Sequence, residues 1–139
     1  MYENLTAFLP RIQNTEYGHW IVDRKNDGSP EHPKQFPFVV YDQVVNELES
    51  EVYCFLDLHP DLSLTRYGEI LEEAKLKWDW DIMHNADVSQ LDGLTIMALI
   101  VEAIRAERFC DGALLSFFED GSVAKWLTRL KEIDSSTGC

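Results

Sequence analysis

The chain has 139 residues, 45% of them hydrophobic, and a formal net charge of −13 from 25 acids against 12 Lys and Arg. That is enough for one domain with a real core and too little to expect two. The longest unbroken apolar run, Ile96 to Val101, falls far short of the about 20 residues that span a bilayer, so a membrane-spanning helix is excluded.

The opening MYENLTAFLP has neither a basic n-region nor a long apolar h-region, so no secretory signal is expected and a cytoplasmic protein is. The charge is uneven: residues 41–90 hold 12 acids and 3 bases, whereas residues 1–40 hold 5 and 4. Such a field repels phosphates, which argues against direct nucleic-acid binding and favours a partner protein with a basic surface. A plainer reading is that the acidity keeps the chain soluble.

In chain order, Tyr2 to Ile12 reads as a short helix with Leu5, Phe8, Leu9 and Ile12 on one face, kinked or shortened by Pro10. Trp20–Val22 and Phe38–Val40 are short apolar runs separated by a linker rich in Pro, Asn, Asp and Gly. They are expected to form a small irregular hairpin or an extended region. His19, Asp23, Glu31 and His32 fall here as surface-loop residues, because their spacing fits no metal motif. Asp42 is the expected N-cap of a second helix, in which Val44, Val45, Leu48, Val52, Phe55 and Leu56 keep the 3.6 period. Pro60 should stop it at or before His59.

A third helix, capped by Thr65 or Ser63, carries Tyr67, Ile70, Leu71 and Ala74 on one side and Glu69, Glu72 and Glu73 outside it. From Leu76 to Ile82 apolar and charged residues alternate, which suits a short strand or one irregular turn. Ser89 is the expected cap of the central helix, near Leu91 to Phe109, which is apolar nearly all round and is therefore expected to be the most buried element. Its one polar seam is Thr95, Ala98, Glu102 and Arg105, and the last two are expected to pair. Two Phe-x-Asp-Gly stretches, at Phe109 and Phe118, each suit a glycine turn that closes one helix and opens the next. Between them lies a short buried helix, and after them a final amphipathic helix through Val123, Trp126, Leu127, Leu130 and Ile133, with Lys125 and Arg129 on a solvated face.

The expected fold is mainly α: a single-domain helical bundle over residues 1–134 around a buried central helix, then a flexible tail over 135–139. Cys54, Cys110 and Cys139 show no zinc or disulfide spacing, and the first two are expected to be core thiols. No cofactor or metal is expected.

Several stretches together resemble a bacterial family of small proteins classed as a domain of unknown function. They are NDGSPEHP (Asn26–Pro33) with PFV (Pro37–Val39), LTRYGEIL (Leu64–Leu71), NAD (Asn85–Asp87), ALIVEAIRAERFCDGALLSFFEDG (Ala98–Gly121) and KWLTRLKEI (Lys125–Ile133). RAERFCDG, Arg105–Gly112, is the most distinctive part. The resemblance implies a bacterial or mobile-element source and no catalytic residue, substrate or cofactor.

Function narrows to two classes. The favoured one is an acidic cytosolic protein-binding or regulatory module, in its sharpest form a phage or mobile-element inhibitor that mimics nucleic acid and fills a basic groove of its partner. Glu47, Glu51, Glu69 and Glu73 would stand in for phosphates, all four exposed, with Trp78 and Trp80 as candidate apolar contacts, although core anchoring suits both tryptophans better. The alternative is a small enzyme built on Glu102, Arg105, Arg108 and Asp111, with Glu107 nearby and a histidine among His19, His32, His59 and His84. No nucleophile elbow, phosphate loop or HExxH pattern supports it. Its structural counterpart makes Glu102 and Arg105 a buried pair and Asp111 a helix cap.

Overall fold

The structure is a computed structural model that describes residues 2–12, 17–21, 28–31, 38–76, 80–110 and 112–137. It is mainly helical, with one small antiparallel hairpin.

The first helix divides into α1 (Glu3–Thr6) and α2 (Leu9–Ile12). Pro10 stands in the first turn of α2, where backbone N–H groups have no intrahelical acceptor and a missing one is harmless. β1 (Gly18–Ile21) pairs with β2 (Phe38–Tyr41), Gly18 opposite Tyr41 and Ile21 opposite Phe38. His19 is therefore an exposed strand residue and not part of a loop. Asp42 caps α3 (Gln43–Leu58) through its side chain, and the helix ends before His59 and Pro60 as expected.

Two 3₁₀ turns, Pro60–Leu62 and Leu64–Arg66, lead into α4 (Tyr67–Glu73). Neither Thr65 nor Ser63 caps it: the 3₁₀ turn consumes Thr65, Ser63 adopts a left-handed conformation, and Arg66 precedes α4 with no side-chain bond. α4 closes with Leu76 N–H donating to the Leu71 carbonyl (2.8 Å) and Lys75 N–H to that of Glu72 (3.0 Å), which places Lys75 in the left-handed region at φ 63°.

α5 (Trp80–Asn85) takes up the end of the stretch 76–82 read as a strand or irregular turn, of which residues 77–79 lie outside the described residues. Asn85 Nδ2 donates to the Asp81 carbonyl one turn back (2.8 Å), and Met83 anchors this short helix in the core.

α6 (Gly93–Ala106) is the central helix. Asp92 caps it, accepting from Thr95 N–H (2.9 Å); Ser89 instead lies in a 3₁₀ turn (Val88–Gln90) whose own cap is Asp87. Every residue from Thr95 to Ile104 is buried, because α4, α7 (Ala113–Glu119), α8 (Ser122–Thr137) and the Leu64–Arg66 turn all pack on α6. The polar seam is covered with the rest. α8 brings Trp126, Leu127 and Leu130 against α6, and runs through Ser135–Thr137 into the stretch assigned to the tail.

Lys125 and Arg129 do not sit on a solvated face. Lys125 Nζ donates to the carbonyls of His84 (3.2 Å) and Ala86 (3.1 Å), and Arg129 Nε to that of Leu91 (3.1 Å), so α8 clamps the α5–α6 connection.

Both free cysteines among the described residues are exposed, not core. The buried set of α3 is Val44, Val45, Leu48, Val52 and Phe55, and Cys54 lies two residues, about 200°, from Val52. Cys110 lies in the turn beyond the end of α6.

Candidate functional site

The C-terminal half of α6 faces a cavity of about 150 Å³. Glu102, Arg105 and Ala106 lie one turn apart on one face of α6; Tyr67 comes from α4, Met83 from α5 and Phe117 from α7. Phe109 and Cys110, in the turn after α6, complete the lining, and Phe109 is 85% exposed. A phenylalanine that finds no cover stands here at the rim of an otherwise aromatic and aliphatic hollow.

Glu102 is only 5% exposed, and its Oε2 has no hydrogen-bond partner among the described residues. Burial pushes its carboxyl above the usual carboxylate range, with the nearby Arg105 guanidinium drawing it back. The expected Glu102–Arg105 ion pair is not formed: no contact between them falls within 4.0 Å, and Arg105 Nε is itself unpartnered. The guanidinium lies over the Tyr67 ring instead, 5.7 Å from its centre. Three residues of spacing made the two neighbours, but the cation–π contact turns Arg105 toward α4. Leaving a buried polar atom unmatched costs about 1–3 kcal/mol, and Glu102 and Arg105, which each hold one such atom among the described residues, both border the hollow.

On the hairpin side the same sequence segment does something different. Glu107, the residue after α6, accepts from Gly112 N–H through both carboxylate oxygens (2.7 and 2.9 Å) and from the Tyr41 hydroxyl. The Tyr41 oxygen in turn accepts from Leu115 N–H (3.0 Å), and burial together with the Glu107 carboxylate raises the phenol far above its ordinary pKa. Gly112 has φ +89°, and a Cβ there would lie 2.3 Å from Trp20. The hairpin is thus latched to the α6–α7 turn by Trp20 against bare glycine and by Tyr41 against Glu107. Glu49 lies near this latch, its carboxyl raised by burial and lowered by Arg108.

The residues singled out from the sequence separate. Glu47 and Glu51 are half-buried, not fully exposed, along a surface groove of α3 that also holds Arg11. Glu47 is tied to Arg11 and accepts from Gln43 Nε2 (3.1 Å). Glu69 and Glu73 are exposed on α4, Glu69 in an ion pair with Arg66. Glu102 and Arg105 share the cavity, whereas Arg108 is exposed outside its lining. Trp78, Asp111, Asp23, His32, Cys139 and the side chain of Trp80 lie outside the described residues.

Tyr67, Met83, Ala106, Phe109, Cys110 and Phe117 are the lining residues that sequence reasoning missed as a site. Phe109 alone carried a usable signal, an aromatic placed in a turn beyond the end of an apolar helix.

His84 imitates part of a hydrolase triad. Its Nδ1 contacts Asp120 and lies 3.4 Å from Ser122 Oγ, and its ring stacks on Phe117. A triad needs the two ring nitrogens to divide orienter from base, but here both partners approach one nitrogen and Ser122 is buried. Asp120 also accepts from Ser122 N–H (2.8 Å), so the group organises the start of α8. Described histidines are absent from the cavity lining, and no group of three His, Cys, Asp or Glu among the described residues could hold a metal. Among those residues no helix is long and apolar enough to cross a membrane.

No curated protein and no solved structure matches the chain. The model of a family of unknown function, DUF6508, matches residues 1–136, and the chain belongs to that family.

Proposed function

We propose that this chain is a binding module and that its site is the cavity between α4, α5, α6 and α7. One observation carries the proposal: Tyr67, Met83 and Phe117, with the buried Glu102 and Arg105 beside them, line a largely apolar hollow whose rim is an exposed phenylalanine. Preformed apolar hollows with a few convergent polar groups are what small ligands occupy. A catalyst would need a second acid, base or nucleophile converging on Glu102. Cys110 at the rim has no described histidine beside it in the lining to activate it. The two exposed free thiols suit a reducing, cytosolic setting.

The test is an NMR titration of the Met83 methyl group with small aromatic rings, repeated on Ala106→Leu, which fills the hollow from α6. Shifts in the wild type that vanish in the filled variant are expected. A Met83 signal that responds to no ring would overturn the proposal.

The acidic middle third supports a second reading, in which a protein with a basic surface docks across the exposed Asp57, Asp61, Glu72 and Glu73. No ion pair among the described residues engages these four. Its sharpest form is the inhibitor that mimics nucleic acid. Such an association should weaken as salt rises, and reversing the four to Lys should slow it strongly. A salt-insensitive complex would assign the acidity to solubility alone.

A further inference from the structure

Phe109 and the hollow beside it are each incomplete in a way the other would mend. The ring is 85% exposed although it borders a largely apolar cavity of about 150 Å³. Its turn is ordered, because the Ala106 carbonyl accepts from both Phe109 N–H (3.1 Å) and Cys110 N–H (3.0 Å). The backbone is therefore fixed at the rim, and the ring stands there without entering the hollow of its own chain. A dry cavity of this size holds about one benzene-sized ring, and a phenylalanine side chain ends in one.

Knob and hole lie on one patch of the surface. A two-fold axis beside Phe109 would let each of two chains fill the hollow of the other, which is the self-complementarity that an isologous dimer requires. A free small ring, by contrast, would fill the hollow and leave Phe109 bare. Local charge also permits the approach. Arg66 and Arg108, both exposed, adjoin Tyr67 and Phe109 in the chain, which lowers the repulsion where two acidic chains must meet.

The area sets the strength. A fully buried aromatic side chain covers about 150–250 Å², so two Phe109 rings and the walls they meet account for several hundred Å². Ile82, next to Met83 in α5 and 39% exposed, enlarges the patch. A stable dimer buries roughly 1,200–2,000 Å², so this contact belongs to the weak, reversible class.

Resting on the binding function proposed above, we infer that the occupant of the cavity between α4, α5, α6 and α7 is Phe109 of a second copy of this chain. The exchange is reciprocal, each ring entering between Tyr67, Met83 and Phe117 of the other chain. Because both chains carry a net charge of −13, the dimer is favoured by high protein concentration and by salt.

The test measures sedimentation equilibrium of the intact chain. The mean mass should climb from 16.1 kDa toward twice that value, with half-association at roughly 0.1–1 mM. Raising the ionic strength from about 0.05 to 0.5 M should tighten association several-fold, the reverse of what a basic partner would show. Phe109→Ser removes the knob and Ala106→Leu fills the hole; each should weaken association about tenfold or more. Saturating benzene should dissociate the wild-type dimer. In a mixture of methyl-labelled and unlabelled copies, the Met83 methyl group should show a nuclear Overhauser effect to a ring of the unlabelled copy, lost when that copy carries Phe109→Ser. If Ala106→Leu does not fold, Phe109→Ser at an exposed position and competition by benzene decide.

A chain that stays monomeric at about 2 mM while benzene shifts the Met83 signal would overturn the inference and leave the binding function standing. A dimer unaffected by Phe109→Ser would use another surface, and a Met83 signal that moves on Phe109→Ser in dilute monomer would place the ring in its own hollow; either overturns it. If neither benzene nor a second copy reaches Met83, the binding function falls as well.

Discussion

Glu102 and Glu107 stand five residues apart at one end of the same helix, and they have opposite surroundings. Glu107 is saturated: Gly112 N–H meets both of its oxygens, and the Tyr41 hydroxyl adds a third bond. Glu102 is more deeply buried and has an oxygen with no hydrogen-bond partner among the described residues. A satisfied carboxylate at a helix end is architecture, because its bonds fasten the hairpin and the α6–α7 turn. An unsatisfied one beside a hollow fastens nothing among the described residues. The comparison therefore separates the segment Arg105–Gly112 into a latch and one wall of a site.

The largest expected effect is on the latch. Gly112→Ala places a Cβ where Trp20 already lies and forces a non-glycine residue to φ +89°, so it should destabilise the fold by ~2 kcal/mol or more in urea denaturation. A smaller loss would mean that Trp20 and the hairpin can move off the turn freely.

Next comes Tyr41→Phe, which removes one bond to Glu107 and leaves Leu115 N–H unmatched. A loss of about 1–3 kcal/mol is expected, without change in ring binding at the cavity. A variant that also lost ring binding would join the two halves that the comparison keeps apart.

Glu102→Gln should act through pH. Burial raises the folded-state pKa of Glu102, so the folded protein holds that proton more tightly than the unfolded chain does. Wild-type stability should then fall as pH rises from the ordinary carboxylate value through the raised one, while the variant lacks that component. Wild-type stability relative to the variant should be highest below this window and lowest above it. Glu49 shifts in the same direction but is present in both proteins, so the difference isolates Glu102. A difference that stays constant with pH would mean that the carboxyl is ordinary and already solvated.

The smallest effect lies on the far wall. Lys75→Gly relieves a left-handed lysine at the end of α4, the helix that carries Tyr67, and should raise stability by roughly 1 kcal/mol with no effect on ring binding.

The sequence was most legible where one periodicity settled one element. The 3.6 period placed α3, α6 and α8, Asp42 and Pro60 marked the ends of α3, and two short apolar runs gave the hairpin. Competing local signals were the difficulty elsewhere. Ser89 and Asp92 could each cap α6, and the backbone decided for Asp92 because residues 91 and 92 are extended. Residues 76–82 alternate as a strand does, yet residues 80–82 open α5, whose Met83 is buried.

The candidate site was half legible. Spacing put Glu102 and Arg105 on one seam, but whether they bond each other depends on Tyr67, 38 positions from Arg105 in the chain. The rest of the lining comes from α4, α5, α7 and a turn, and no pattern within one element announces a hollow between several.

The clasp between the two ends of the chain bears on the order of folding. Tyr2 N–H donates to Asp134 (2.9 Å), and α1 and α2 both lie on α8. Leu5, Phe8, Leu9 and Ile12 are synthesised long before α8, which supplies much of their cover. Until the helix near position 130 exists, this small apolar patch lacks that cover. Contacts of such long sequence separation form late, because loop closure precedes any gain from them. The nascent chain is therefore exposed to aggregation, and to capture by chaperones, through this apolar patch until α8 is made.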